Sequence, residues 1–174
     1  MSLTTTIAMT QDRNVTATFA IKSYELATSS SAGGSVSQSG NYDHGTQATI
    51  IAVPLTGFYF TGWLGEGIND LNASTTTVSM TQDRNISANF DAIAHDLIVS
   101  AASGGSATGS GRFNYSTNAA ITASPDEGHY FTNWSGEGLG DANSPSTTVS
   151  MTQDRNVTAN FASTPIDKKI LQTY

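Results

Sequence analysis

The chain has 174 residues, no cysteine, and 14 acidic against 7 basic residues, for a formal net charge of −7. So few Lys and Arg argue against a phosphate backbone or an anionic membrane face as partner, and the absence of Cys removes disulfides, thiolate metal sites and Cys nucleophiles. Charged residues make up only 12%, about half the usual share for soluble domains, while Thr, Ser, Asn and Gly abound, a bias that suits β surfaces; no apolar run reaches the roughly 18 residues of a membrane-spanning helix.

The opening Met-Ser-Leu reads as a start placed on an internal fragment, so targeting information is expected outside this sequence. At residues 9–14 comes Met-Thr-Gln-Asp-Arg-Asn, which recurs unchanged at 80–85 and 151–156, a spacing of 71 each time (80 − 9 and 151 − 80). A repeat has to be read before any local motif, because a site inside it belongs to the unit. The register extends far beyond the hexapeptide. Gly33-Gly34, Gly40, Pro54, Gly57, Phe60, Trp63 and Gly65-Glu66-Gly67 all find the same residue 71 positions later.

Residues 24–30 and 95–101 read as strands before a Gly-Gly turn, and the Gly/Ser-rich stretches 35–42 and 106–115 as single twisted or bulged strands. Residues 46–53 and 118–124 are the next strands, ended by Pro54 and Pro125, which lack the ladder donor. Residues 58–63 and 129–134 form an aromatic strand. The loops 64–74 and 135–146 are the longest irregular stretches, with room for a short helical turn. In 76–81, Val78 and Met80 share one face; in 85–90, Ile86, Ala88 and Phe90 do so again. Two alternating runs around Gln82-Asp83-Arg84 predict a β-hairpin, with Asp83 bonding amides just ahead of it and Asn85 taking a left-handed conformation.

The expected organisation is all-β, with complete units at 21–91 and 92–162. Residues 1–20 are the C-terminal hairpin of a preceding repeat, since 4–20 align only with 75–91. Residues 163–174 are a linker or the start of a further domain, with Ile166, Ile170 and Leu171 able to pack weakly. A lone hairpin is marginal in water, so residues 4–20 are expected to dock on a neighbour or to exchange strands with another molecule. The linker 92–94, Ala-Ile-Ala, leaves almost no slack and predicts a semi-rigid rod.

Gly-Phe-Tyr-Phe-Thr-Gly-Trp ending at Trp63, then Gly-Glu-Gly, then Thr-Val-Ser-Met-Thr-Gln-Asp-Arg-Asn-Ile-Ser-Ala-Asn-Phe ending at Phe90, resembles the divergent InlB B-repeat family of bacterial surface proteins. In the second unit Asn133 replaces the Gly before Trp134, removing a residue on which a Gly-dependent bulge would rely. The resemblance implies compact, β-grasp-like tandem modules in secreted or surface-anchored proteins, with stalk, spacer or adhesive roles and no catalysis. It carries over no ligand-binding residues. Neighbouring repeats, and a glycan or protein of a host or cell surface, are the partners it implies; no cofactor is expected.

Trp63, Trp134, Phe60 and Phe131 are expected in the core, where large rings stabilise a small module. Tyr59 and Tyr130 alternate to the other face and are the candidates for stacking on a sugar, which makes a carbohydrate-binding module the alternative function. Glu66, Asp70, Glu137 and Asp141 lie in Gly-rich acidic loops and are the candidate Ca²⁺ ligands, since Ca²⁺ takes six to eight oxygens, although the spacing is not that of an EF-hand. The same carboxylates are a weaker candidate for a hydrolytic pair. His44, His95 and His129 align with Tyr115, Tyr24 and Phe58 rather than with one another, so they are expected at the surface and outside any repeated site.

Overall fold

The computed structural model describes residues 4–37 and 39–165. The strands fall into two equivalent sets. The first module comprises β1 (Ser23–Ser30), β2 (Gly34–Val36), β3 (Gly40–Asp43), β4 (Gln47–Pro54), β5 (Phe58–Leu64), β6 (Thr75–Ser79) and β7 (Arg84–Ala92). The second comprises β8 (Ala94–Ala101), β9 (Gly105–Thr108), β10 (Gly111–Asn114), β11 (Asn118–Pro125), β12 (His129–Gly136), β13 (Ser146–Ser150) and β14 (Arg155–Ser163). A single residue, Ile93, separates β7 from β8, so the junction lies slightly later than the 91/92 division read from the sequence. No helix occurs among the described residues, and the two long loops contain none.

Each module is a two-sheet sandwich. A four-stranded mixed sheet has the order β3-β1-β7-β5, and a three-stranded antiparallel sheet has the order β2-β4-β6; β10-β8-β14-β12 and β9-β11-β13 repeat the plan. The first and last strands pair in parallel at the centre of the larger sheet, Leu26 opposite Arg84 and Ser30 opposite Ala88. This parallel pair is covered by the smaller sheet. The chain changes sheet at every connection, so consecutive strands never pair with each other.

Two expectations are corrected by this plan. The alternating runs around Asp83 are not a hairpin, because β6 pairs with β4 while β7 pairs with β1 and β5. Period two fixes which side chains face inward but not which strand lies alongside. The stretch 35–42 is likewise not one bulged strand: β2 and β3 belong to different sheets and the chain crosses between them. A bulge does occur in the aromatic strand of both modules, between Phe60 and Gly62 and between Phe131 and Asn133. Asn133 holds it without a positive φ, whereas Gly62 sits at φ +147°, so the bulge does not depend on glycine.

The inward faces of both sheets meet in one core per module. Leu26, Ile50, Val78, Met80 and Ile86 are buried with Trp63 and Phe90; Leu97, Ile121, Val149, Met151, Val157 and Trp134 occupy the same positions in the second. Phe60 lies edge-on to Trp63 and Phe90, with ring centroids 5.3 and 5.8 Å away. Phe131 repeats this contact with Trp134 and Phe161. The Gly-Gly turn is bare because rings lie on it. A Cβ on Gly33 would collide with Phe58 and one on Gly34 with Phe90.

Residues 4–22 form no strand, and every side chain from 4 to 23 is exposed. The reason is visible in the modules, where the matching segment is held by β1, β4 and β5 rather than by itself; residues 4–20 add to no sheet. Phe19 is 91% exposed where its counterpart Phe90 is 6% exposed. The expected packing of Ile166, Ile170 and Leu171 lies outside the described residues. Phe90→Ala is expected to cost about 3–5 kcal/mol, as for a buried aromatic. Phe19→Ala, in nearly the same sequence context, should stay within about 0.5 kcal/mol of wild type, as urea denaturation would measure.

Candidate functional site: the recurring Arg-Glu corner

The unchanged hexapeptide forms the corner where the chain passes from β6 to β7. Met80 is fully buried and anchors it. Asp83 does not bond the amides ahead of it; its Oδ1 accepts from the N–H of Glu25 on β1 at 2.9 Å, and Asp154 Oδ1 accepts from Asp96 N–H at the same distance. Each Asp thus ties the corner to the first strand of its module. Asn85 is not left-handed; it lies within β7 and faces outward.

Arg84 is the residue that the sequence reading passed over. Its side chain is 10% exposed and runs across Gly67, where an added Cβ would sit 2.8 Å from Cζ. Nε donates to Ser79 O at 3.2 Å, one terminal nitrogen to Thr81 Oγ1 at 3.2 Å, and the other to Glu66 Oε2 at 3.4 Å. Arg155 repeats the bonds to Thr152 and Glu137, at 3.2 and 2.9 Å, while its Nε is buried without a partner. Glu66 and Glu137 are more than four-fifths exposed, so these pairs are solvent-screened and each adds little stability. Their repetition in a chain so poor in charge was the available signal. Beside each corner is an open cleft. One of about 210 Å³ is lined by Gly65, Glu66, Gln82, Asp83, Arg84 and Asn85, and one of about 200 Å³ by the equivalent residues of the second module.

The acidic loops are fastened along their whole length. Trp63 Nε1 donates to Ala73 O at 2.8 Å and Trp134 Nε1 to Ser144 O at 3.0 Å. The main chain adds Trp63 N–H to Leu71 O at 2.9 Å, and Ser79 N–H to Gly67 O at 2.8 Å. Asp70 accepts from the amides of Asn72 and Ala73, and Asp141 from that of Asn143. Of the candidate Ca²⁺ ligands, Glu66 and Glu137 therefore face arginine, while Asp70 and Asp141 close the loop on itself; the two carboxylates of a loop serve different partners. Among the described residues no three His, Asp or Glu side chains gather into a ligating group.

The histidines are dispersed. His44 is exposed and edge-on to Tyr24. His95 and His129 are half-buried rather than fully at the surface. His95 Nδ1 lies 3.3 Å from Asp154 Oδ1, and the His129 ring lies on Gly104 as Phe58 does on Gly33. Tyr59 and Tyr130 stand on the outer face, 49% and 47% exposed.

The family model of the divergent InlB B-repeat domain matches residues 24–94 and 95–165 in tandem. Comparison with curated proteins gives no match. The chain belongs to the divergent InlB B-repeat family, as two consecutive copies of its domain.

The Asp96 amide, with His95 and Arg112, holds the Asp154 carboxyl below the usual carboxylate range. A depressed folded-state pKa contributes stability above the unfolded-state value and loses it as pH falls through the folded value. Asp154→Asn should therefore lower the melting temperature at pH 7, and the gap to wild type should close in melts taken progressively below about pH 4. A gap that stays constant with pH would contradict this assignment.

Proposed function

We propose that this pair of divergent InlB B-repeat domains is a non-enzymatic stalk or spacer segment of a bacterial cell-surface or secreted protein, working outside the cell. The observation that carries the reading is the junction. Ile93 alone separates β7 from β8, while each module keeps a core of its own. Self-sufficient units joined with no slack suit a part that sets distance between other domains. The acidic, Cys-free composition is in keeping with that setting, and no helix among the described residues is long and apolar enough to cross a membrane.

Small-angle scattering on the full chain tests it: an elongated particle of fixed maximum dimension is expected, and a single rounded particle would refute the stalk. Residues 4–20 bear on the same measurement. They present Ile7, Met9, Val15 and Phe19 to solvent at positions where the modules bury their counterparts. We read them as strands offered to another module, and exchange between chains predicts association that is lost when those residues are removed.

A second reading, weak carbohydrate binding, draws on Tyr59 and Tyr130, which are about equally exposed at the same register of both modules. Glycan-array signal that disappears when both are replaced by Ala would favour it over a pure spacer.

A further inference from the structure

The two modules touch through a ring seated on a glycine. Tyr115, in the turn after β10, lies against Gly57, in the turn between β4 and β5 of the other module. A Cβ on Gly57 would stand 2.8 Å from Tyr115 Cδ1 and 3.3 Å from its Cβ and Cγ. The main chain ties the same three points together: Tyr115 N–H donates to Ile93 O and Ile93 N–H to Gly57 O, each at 2.8 Å. Ile93 thus bridges a turn of one module to a turn of the next.

The repeat supplies its own comparison. Seventy-one residues before Tyr115 stands His44, whose N–H donates to Lys22 O just as that of Tyr115 donates to Ile93 O. Seventy-one after Gly57 stands Gly128, whose carbonyl accepts from Thr164 N–H as that of Gly57 accepts from Ile93. The backbone is the same, but the covering differs. Gly57 and Tyr115 are half-buried; Gly128 and His44 are exposed, and nothing lies within 4 Å of a Cβ on Gly128. Ala92, Ile93 and Ala94 are half-buried where Ser163, Thr164 and Pro165 are exposed. Inside each module the same packing recurs, with Phe58 on Gly33 and Phe90 on Gly34.

The geometry points to Tyr115 on Gly57 as the joint that fixes the angle between successive modules, and to Gly128 as the same socket awaiting the ring at the 44/115 position of a further copy of the module. This rests on the reading of the chain as a spacer and adds the contact that makes it stiff. The occupant follows from Tyr115 itself, which shows what fills the socket when a module follows. A ring on a bare backbone excludes water from both surfaces and leaves no side chain to rotate away.

The test uses paired glycines in the full chain. Gly57 and Gly128 sit at φ +84° and +78°, so Ala at either meets the same backbone strain; only at Gly57 does the new Cβ also meet Tyr115. Tyr115→Ala removes the ring and leaves both glycines alone. Residual dipolar couplings of the backbone amides should give one alignment tensor for both modules in wild type and Gly128→Ala, and two in Gly57→Ala and Tyr115→Ala. Unchanged amide shifts within each core would show that both modules remain folded. Separate tensors already in wild type would overturn the stiff spacer and the joint together. One tensor in wild type that survives Tyr115→Ala would overturn the joint alone. In a chain carrying a further copy of residues 95–165 directly after Pro165, Gly128→Ala should uncouple the second and third modules; if they stay coupled, the socket assignment fails.

Discussion

Everything in a module hangs on the parallel pairing of its first and last strands. β7 lies between β1 and β5, bonded to one in parallel and to the other antiparallel, so until the final strand arrives the larger sheet is only the β3-β1 pair and a lone β5. Because the chain changes sheet at every connection, no strand can be stabilised by its immediate neighbour in sequence. Such non-local pairing incurs its loop-closure entropy before contacts reward it, and it makes each module a single cooperative unit. Residues 4–20 show the consequence directly. They carry nearly the same side chains as β6 and β7 yet adopt neither strand, because stability here belongs to the unit and not to the segment.

The corner motif serves that closure. Asp83 reaches the Glu25 amide on β1, and Arg84 gathers the end of β6, Thr81 and the acidic loop around one guanidinium. Trp63 does the same for the loop from the opposite side, burying its ring and spending its indole N–H on the Ala73 carbonyl. With few charges available, the fold fastens its irregular parts with main-chain donors and acceptors, supported by a small number of side chains that each hold several points.

Much of this was legible in the sequence, and the failures share one cause. The 71-residue period, the all-β class, the buried Trp63 and Trp134, and the outward Tyr59 and Tyr130 follow from repetition and alternation, which are local properties. The hairpin between β6 and β7, the single strand across 35–42, and the local turn roles of Asp83 and Asn85 were local readings of residues whose partners are distant. Alternation says that Val78 and Ile86 face inward, and they do, but from different sheets. Tyr115 and Gly57 escaped for the same reason: neither is unusual within its own module, and their meaning appears only when the next module is placed.

Comparison of the two copies separates what the fold requires from what it permits. Core positions are identical or nearly so, Ile86 becoming Val157 as the largest change among the fully buried residues. On the outer face of the larger sheet the copies diverge freely: Ala27 becomes Ile98 and Leu64 becomes Ser135. Ala27 and Leu64 line an apolar groove of about 290 Å³ with Gly65 and Ile86, so that face differs in shape and polarity from one module to the next. Gly57 and Gly128 are alike while their coverings are not, which places them with the core rather than with the outer face. Both glycines hold a left-handed backbone, at φ +84° and +78°, which already favours glycine within each module; at Gly57 the ring of the next module adds a second reason.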